Sequence, residues 1–295
     1  MSLFVAPLVF GLIPSDNRSI PIAPGVRMPL INMGASLNQT LWLEEGGRGM
    51  DTALTYGDQA EAAVAQAVSL FEPRDELFVT TKIPCCPSPF DRSVVHSCPS
   101  LGLDPDKWID HTLKALGLDG AGEFVDLMLL HWPCDTPEQT LNIYRAMEAA
   151  KDRGQVKNLG ISNFNASTID ALLQGGLKHR PVINQCGYSI GGHAPTETRW
   201  GRDEPTRAKS LANNITYSAY SPLGGVTKID VLHNPTVLAV AADHGVNAAQ
   251  VALRWVVQRG VPAVTNSDSA GHMQSDLAIF DFELTDEEME RLAKV

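Results

Sequence analysis

Residues 125–135 read V-D-L-M-L-L-H-W-P-C-D, and the fold turns on this stretch. The run from Val125 to Leu130 is almost unbroken in its apolar character. A strand with one wet face would alternate, so this run reads as a parallel strand covered on both faces. Pro133 cannot donate to a ladder and ends it. His131 therefore stands at the carboxyl end of a buried strand. Taken alone, a histidine in that place is most simply a hydrogen-bonded structural residue, so its meaning depends on the other strand ends.

Working outward, strand-like runs recur at Pro29–Met33, Gly49–Ala53, Leu77–Lys82, Phe124–His131, Val156–Ser162, Pro181–Cys186, Ile215–Tyr220 and Val261–Thr265. Helical segments such as Gln59–Leu70, Pro105–Leu116, Pro137–Gly154, Ala166–Gly175 and Ala248–Gln258 lie between them. Eight alternating units in 295 residues fit a closed (β/α)8 TIM barrel, a single α/β domain over residues 1–295, better than an open doubly wound sheet. No G-x-G-x-x-G supports a Rossmann half. The long irregular segments Ile83–Asp104 and Tyr188–Arg207 each follow a strand, which places them on the carboxyl-terminal rim.

Composition narrows the function classes. Apolar residues at 44% and charged residues at 19% suit a packed globular chain. A net charge of -11 leaves no basic stripe, so nucleic acid is not an expected partner. The early apolar segment Leu3–Ile13 is far short of a membrane span, and the first 17 residues hold no Lys or Arg for a signal sequence. No membrane partner is expected, and the expected location is cytoplasmic. The four N-x-S/T sequons then read as chance. The five cysteines show no zinc-ligand spacing, so no metal is expected. They read as reduced thiols, although Cys85, Cys86 and Cys98 share one segment and leave a disulfide there open.

In a barrel, catalytic groups belong at strand carboxyl ends and on the loops that follow. The second strand places Asp51 at its end and Tyr56 just beyond, the third ends in Lys82 and the fourth in His131. A buried Lys82 needs an anion, and Asp51 is the nearest candidate. An ammonium about 4 Å from a phenol oxygen stabilises the phenolate by at most roughly 4 kcal/mol, or nearly 3 pKa units. Tyr56 is thereby expected to become a better acid, and His131, neutral, to donate an N–H to a substrate oxygen. Each residue also has a structural reading: an ion pair, a loop tyrosine, a core histidine. Four such readings at consecutive strand ends are improbable together.

Later strand ends carry Ser162 and Asn163, Asn184 and Gln185, and Tyr220 and Ser221. Amides and hydroxyls could hold a carboxamide while an aromatic face stacks on a flat heterocycle, which suggests a nicotinamide ring.

The motifs D-T-A-x-x-Y-G, T-T-K, L-L-H-W-P, G-I-S-N-F, N-Q, A-Y-S-P-L-G and A-Q-V-A-L-R-W, in that order, resemble the aldo-keto reductases from Gly25 to Glu288. The resemblance implies a TIM barrel that binds an extended nicotinamide dinucleotide and reduces a small-molecule aldehyde or ketone. Tyr56 would donate the proton, assisted by Lys82 and Asp51, with His131 orienting the carbonyl. Ser162, Asn163 and Gln185 would hold the carboxamide under a stacked Tyr220. Gly34, Ala35, Ser221, Leu223, Asn266, Ser267, His272 and Asp276 would line the rest of the cofactor's path. Two other classes remain: a cofactor-binding regulatory or structural protein on this fold, and a hydrolase using Asp51 with a second carboxylate.

The chain departs from the family pattern in three places. Asn266 and His272 stand where a Lys and an Arg usually meet the cofactor's 2′-phosphate, and Asp276 where an Asn is common. NADP(H) stays the first choice, with unusually weak discrimination against NAD(H). The segment from Gly34 to Asp51 looks short, with Ser36 where an aromatic often lines the substrate pocket. The chain also stops at Val295 without a long closing tail. These changes are expected to open the mouth, with Trp132 and Cys86 as remaining walls.

Overall fold

The computed structural model describes residues 18–86, 102–191, 201–225 and 230–295. Expectations placed on residues 1–17, on Cys98 and on the middles of the two irregular segments lie outside the described residues.

The chain opens with an antiparallel hairpin, β1 (Ser19–Ala23) and β2 (Val26–Pro29), turning at Pro24-Gly25, where Gly25 takes φ 74°. Eight parallel strands follow: β3 (Ile31–Met33), β4 (Gly49–Asp51), β5 (Phe78–Ile83), β6 (Val125–Leu130), β7 (Val156–Ser162), β8 (Ile183–Gly187), β9 (Thr216–Tyr220) and β10 (Ala263–Thr265). They close in chain order, β10 pairing with both β9 and β3. The expected (β/α)8 barrel is therefore the fold, and each of the eight expected strands overlaps an observed one.

The opening stretch explains its own composition. Leu127 and Leu129 of β6 point into the barrel with Phe78 and Ile183, and the hairpin's Ile22 and Met28 close that inner cluster from the amino-terminal end. Met128 and Leu130 point the other way, into the layer between barrel and helices. Because both pleat faces are dry, the strand carries no polar alternation. The hairpin plug, which sequence periodicity does not reveal, leaves the opposite end of the barrel as the open one.

Outside the barrel run α1 (Gln39–Glu44), α2 (Asp58–Ser69), α3 (Pro105–Ala115), α4 (Pro137–Asp152), α5 (Ala166–Leu173), α6 (Glu204–Ala212), α7 (Pro235–His244), α8 (Ala248–Gln258), α9 (Ala270–Leu277) and α10 (Asp286–Leu292). Several start on a capping side chain followed by proline: Asp104-Pro105, Thr136-Pro137 and Asn234-Pro235. No helix among the described residues is long and apolar enough to cross a membrane.

One expectation is overturned. Cys85 and Cys134 form a disulfide with their Cα atoms 5.3 Å apart, and Cys86 is disulfide-bonded as well. Cys134 escaped the sequence reading because it follows β6 whereas Cys85 follows β5; only barrel closure makes them neighbours. Of the described cysteines only Cys186, buried on β8, is a thiol. The reading of the cysteines as reduced thiols is therefore replaced by a bridge between the segments that follow β5 and β6.

Candidate active site

Strand register builds the centre of the site. Asp51 of β4 pairs with Thr80 of β5, so Lys82, two residues on, shares its inward face one step nearer the open end. Lys82 Nζ donates to Asp51 Oδ1 and, at 2.9 Å, to the Thr52 carbonyl. Both side chains are sealed, 1% and 2% exposed. Gln185, in the middle of β8, donates from Nε2 to the other Asp51 oxygen at 2.8 Å. Asp51 is thus a carboxylate held from both sides.

Tyr56 reaches this pair from a single 3-10 turn, Leu54–Tyr56, that ends at Gly57 with φ 90°, a conformation that glycine adopts without strain. Lys82 Nζ lies 5.0 Å from the Tyr56 ring centroid and hydrogen-bonds its side chain. The His131 ring meets Tyr56 edge-on with centroids 5.7 Å apart, and His131 Nδ1 lies 3.3 Å from the Thr55 hydroxyl. Four groups drawn from three strand ends and one loop therefore meet at one place.

The electrostatics differ from expectation in one respect. Burial pushes the Tyr56 phenol above its ordinary value, and the Lys82 charge only partly offsets this, with Asp51 adding to the rise. Tyr56 is held protonated through the neutral range, as a proton donor must be before reaction. Burial works against the charge on Lys82, but Asp51 and Tyr56 outweigh it and raise the ammonium above its usual value. Lys82 thus keeps its charge beside the phenol.

Beside this group opens a cleft of about 330 Å³ lined by Gly34, Ala35, Asp51, Tyr56, Gln185, Tyr220, Ser221, Pro222, Leu223, Gly225, Val264, Thr265 and Asn266. Nine of the expected catalytic and cofactor residues share it. Gly34 makes a close approach at its edge: a Cβ there would lie 3.0 Å from the Thr265 carbonyl oxygen and 3.1 Å from Val264 Cγ1, so the neighbours would have to give way. Two non-glycine residues at the rim, Asn163 and Ser221, take left-handed φ values of 61° and 51°, which are sparsely populated and often kept at functional sites.

Asn163 is locked there. Its backbone N–H donates to the Gln185 carbonyl at 3.0 Å, its Nδ2 to the His131 carbonyl at 3.0 Å, and its Oδ1 accepts from the Tyr220 hydroxyl at 2.7 Å. Arg202 in turn donates to the Tyr220 oxygen at 2.9 Å, fixing the ring that faces the cleft. Arg202 escaped the sequence reading because it sits in an irregular segment with no motif around it.

Several expected contacts fall elsewhere. Ser162 lies behind the cleft wall, its hydroxyl donating to the Gln185 carbonyl at 2.7 Å. Ser36, expected in the substrate pocket, is buried and donates to Asp268 Oδ1 at 2.8 Å. Trp132, expected as an open wall, is 1% exposed, packs on His131 and donates from Nε1 to the Cys85 carbonyl at 2.9 Å. It buttresses His131. Asp276 accepts from the Thr265 hydroxyl, and burial raises its carboxyl to about 6. Asn266 and His272 are exposed at the rim, and Ser267 is half-buried between them. A larger groove of about 680 Å³ lies at the hairpin end, away from these groups.

Comparisons with known proteins bear on the family and the fold. The family model described as the Aldo/keto reductase family matches residues 37–295. An aldo-keto reductase of Mycolicibacterium vanbaalenii is 34% identical over 276 residues, covering 90% of this chain and 87% of its own. A 9,11-endoperoxide prostaglandin H2 reductase of Trypanosoma cruzi is 28% identical over 287 residues, covering 94% and 91%. A crystal structure of an aldo-keto reductase from a Medee basin deep-sea metagenome library superposes with a TM-score of 0.78 at 28% identity, covering 94% of each chain. The aldose reductase of Schistosoma japonicum gives a TM-score of 0.75 at 25% identity, covering 94% of this chain and 91% of its own. On fold, motif order and these matches, the chain belongs to the aldo/keto reductase family.

Proposed function

We propose that this chain is an NADPH-linked carbonyl reductase that turns an aldehyde or ketone into an alcohol, with Tyr56 as proton donor. The observation that supports it most is the sealed Asp51–Lys82 pair beside a protonated Tyr56 and the His131 edge, opening on one cleft. The cleft also fits a flat ring with a carboxamide: Tyr220 offers a face held from behind by Asn163, Gln185 lines the cleft beside it, and the absence of a side chain at Gly34 leaves room along β10. A bound reduced dinucleotide would supply the hydride. Tyr56 gives its proton to the carbonyl oxygen as charge develops there. Lys82, oriented by Asp51 and the Thr52 carbonyl, stabilises the phenolate left behind. His131, fixed by Thr55, Trp132 and the Asn163 contact to its carbonyl, orients the substrate oxygen.

The 2′-phosphate end of the cleft would be met by Asn266, Ser267 and His272. These groups hydrogen-bond a phosphate but do not bring two fixed cations to it, so discrimination between NADPH and NADH is set to be weak. The test is oxidation of both reduced dinucleotides over a panel of aldehydes and ketones, with dinucleotide binding followed in parallel by fluorescence. Tyr56→Phe should lower kcat/KM by about 10²–10⁴ while leaving dinucleotide affinity nearly unchanged. Wild-type turnover in that variant removes Tyr56 from its role. Tight dinucleotide binding without turnover on any carbonyl would favour a cofactor-binding regulatory protein instead.

A further inference from the structure

Asp58 and Glu61 stand one turn apart at the start of α2, and His111 lies across from them on α3. His111 Nε2 is 3.0 Å from Asp58 Oδ1, and a Glu61 carboxylate oxygen completes a trio whose ligand atoms all lie within 4.8 Å of one another. Among the described residues no other group of three His, Cys, Asp or Glu side chains meets this closely. Glu61 is the telling member: it is 0% exposed, its Oε1 accepts from the Thr112 hydroxyl, and its Oε2 has no hydrogen-bond partner. A sealed carboxyl beside a second carboxylate is kept neutral by a proton, which leaves one oxygen without a hydrogen-bond partner, and a cation that displaces the proton would satisfy that oxygen.

We propose that Asp58, Glu61 and His111 bind one divalent transition-metal ion of the zinc class, tying the first turn of α2 to α3. Two carboxylates match the charge of a divalent ion, and the imidazole nitrogen selects zinc, cobalt or nickel over the oxygen-seeking magnesium and calcium. Zinc bonds of about 2.0–2.1 Å in tetrahedral array put neighbouring ligand atoms about 3.3 Å apart. The His111–Asp58 spacing is already near that value. Asp58, whose side chain is 79% exposed, and His111, at 34%, are free to close the remaining gap toward the packed Glu61. Water fills the fourth position. Since α2 begins two residues after Tyr56, the ion would anchor the far end of the turn that carries it. Motif spacing could not show this trio, because its members come from separate helices.

The experiment takes the full-length, disulfide-intact protein, strips it with a chelator, and titrates zinc by calorimetry and by competition with a chromophoric zinc indicator. One equivalent should bind with a Kd of about 10 µM or tighter, and about a thousandfold excess of magnesium should not displace it. His111→Ala, Asp58→Asn and Glu61→Gln should each weaken binding by about tenfold or more. His244→Ala, which breaks a two-residue His244–Glu288 pair elsewhere, should bind as wild type. His111 and Asp58 are surface positions whose variants keep the fold, checked by circular dichroism, so the test stands even if Glu61→Gln does not fold. No binding below about 100 µM, or wild-type affinity in His111→Ala and Asp58→Asn, overturns the proposal. None of these readouts involves carbonyl reduction, so the outcome is independent of the proposed function.

Discussion

Separating the stability role of the Asp51–Lys82 pair from its chemical role needs a double-mutant cycle. Asp51→Asn leaves the Lys82 ammonium in a pocket where it is 1% exposed, with the Thr52 carbonyl at 2.9 Å and the Tyr56 hydroxyl as its remaining partners. Removing one member of a buried pair costs about 3–5 kcal/mol, because the other charge is left unpaired away from water. Lys82→Met strands the carboxylate in the same way, with only the Gln185 N–H still on it, and should cost a similar amount. If the two effects were independent, the double variant would lose about 6–10 kcal/mol, comparable to the whole stability of a typical domain at about 5–15 kcal/mol. The double variant instead contains no stranded charge. The amide oxygen introduced in place of the Asp51 carboxylate still accepts from Gln185, the thioether that replaces Lys82 fills the lysine's channel, and the remaining cost is about one lost hydrogen bond at the Thr52 carbonyl, ~1–2 kcal/mol. Urea unfolding midpoints at constant m-value give the three free energies. All three variants should be inactive toward carbonyls while the double variant stays close to wild type in stability. Additive costs, or a loss below ~1 kcal/mol for Asp51→Asn, would refute the view that these charges depend on each other.

Three further outcomes are expected. Burial and the neighbouring Asp58 raise the Glu61 carboxyl from 4.5 to about 8. Its contribution to stability is full below the unfolded value and is lost as pH rises through the folded one, so in chelator-treated protein stability should fall by up to ~5 kcal/mol between those limits. Glu61→Gln should remove that slope in urea unfolding measured across the window. Cutting the Cys85–Cys134 bridge, which closes a sequence separation of 49, with a pair of serines should cost about 4 kcal/mol by loop entropy. Equal unfolding midpoints for the serine pair and the parent would show that the bridge does not form. The kcat/KM ratio of NADPH to NADH should stay below about 10³, equivalent to ~4 kcal/mol, and a larger ratio would mean that a cation reaches the 2′-phosphate after all.

Strand identity was legible because barrel strands are dry on both faces: Val125–Leu130 is a short run, apolar except at Asp126, that leads into His131, and Phe78–Ile83 is buried throughout although it carries Thr80, Thr81 and Lys82. Helices with a thin apolar stripe were harder to see; α6 buries only Thr206 and Ser210, and α9 only Met273 and Asp276. The four groups of the candidate site were also readable, since a barrel sends every strand's carboxyl end to the same rim.

What needed the tertiary structure was everything set by contact between distant segments. Closure put Cys134 against Cys85, brought Gln185 onto Asp51, and laid His111 beside Asp58 and Glu61. It also drew Ser36 and Trp132 inward, where the family resemblance had implied a lining of the substrate pocket. Periodicity along a chain reports which face of an element is dry, because burial repeats with the backbone. It carries no record of which residue of another element will meet that face, since the partner is chosen by register and packing across the closed sheet.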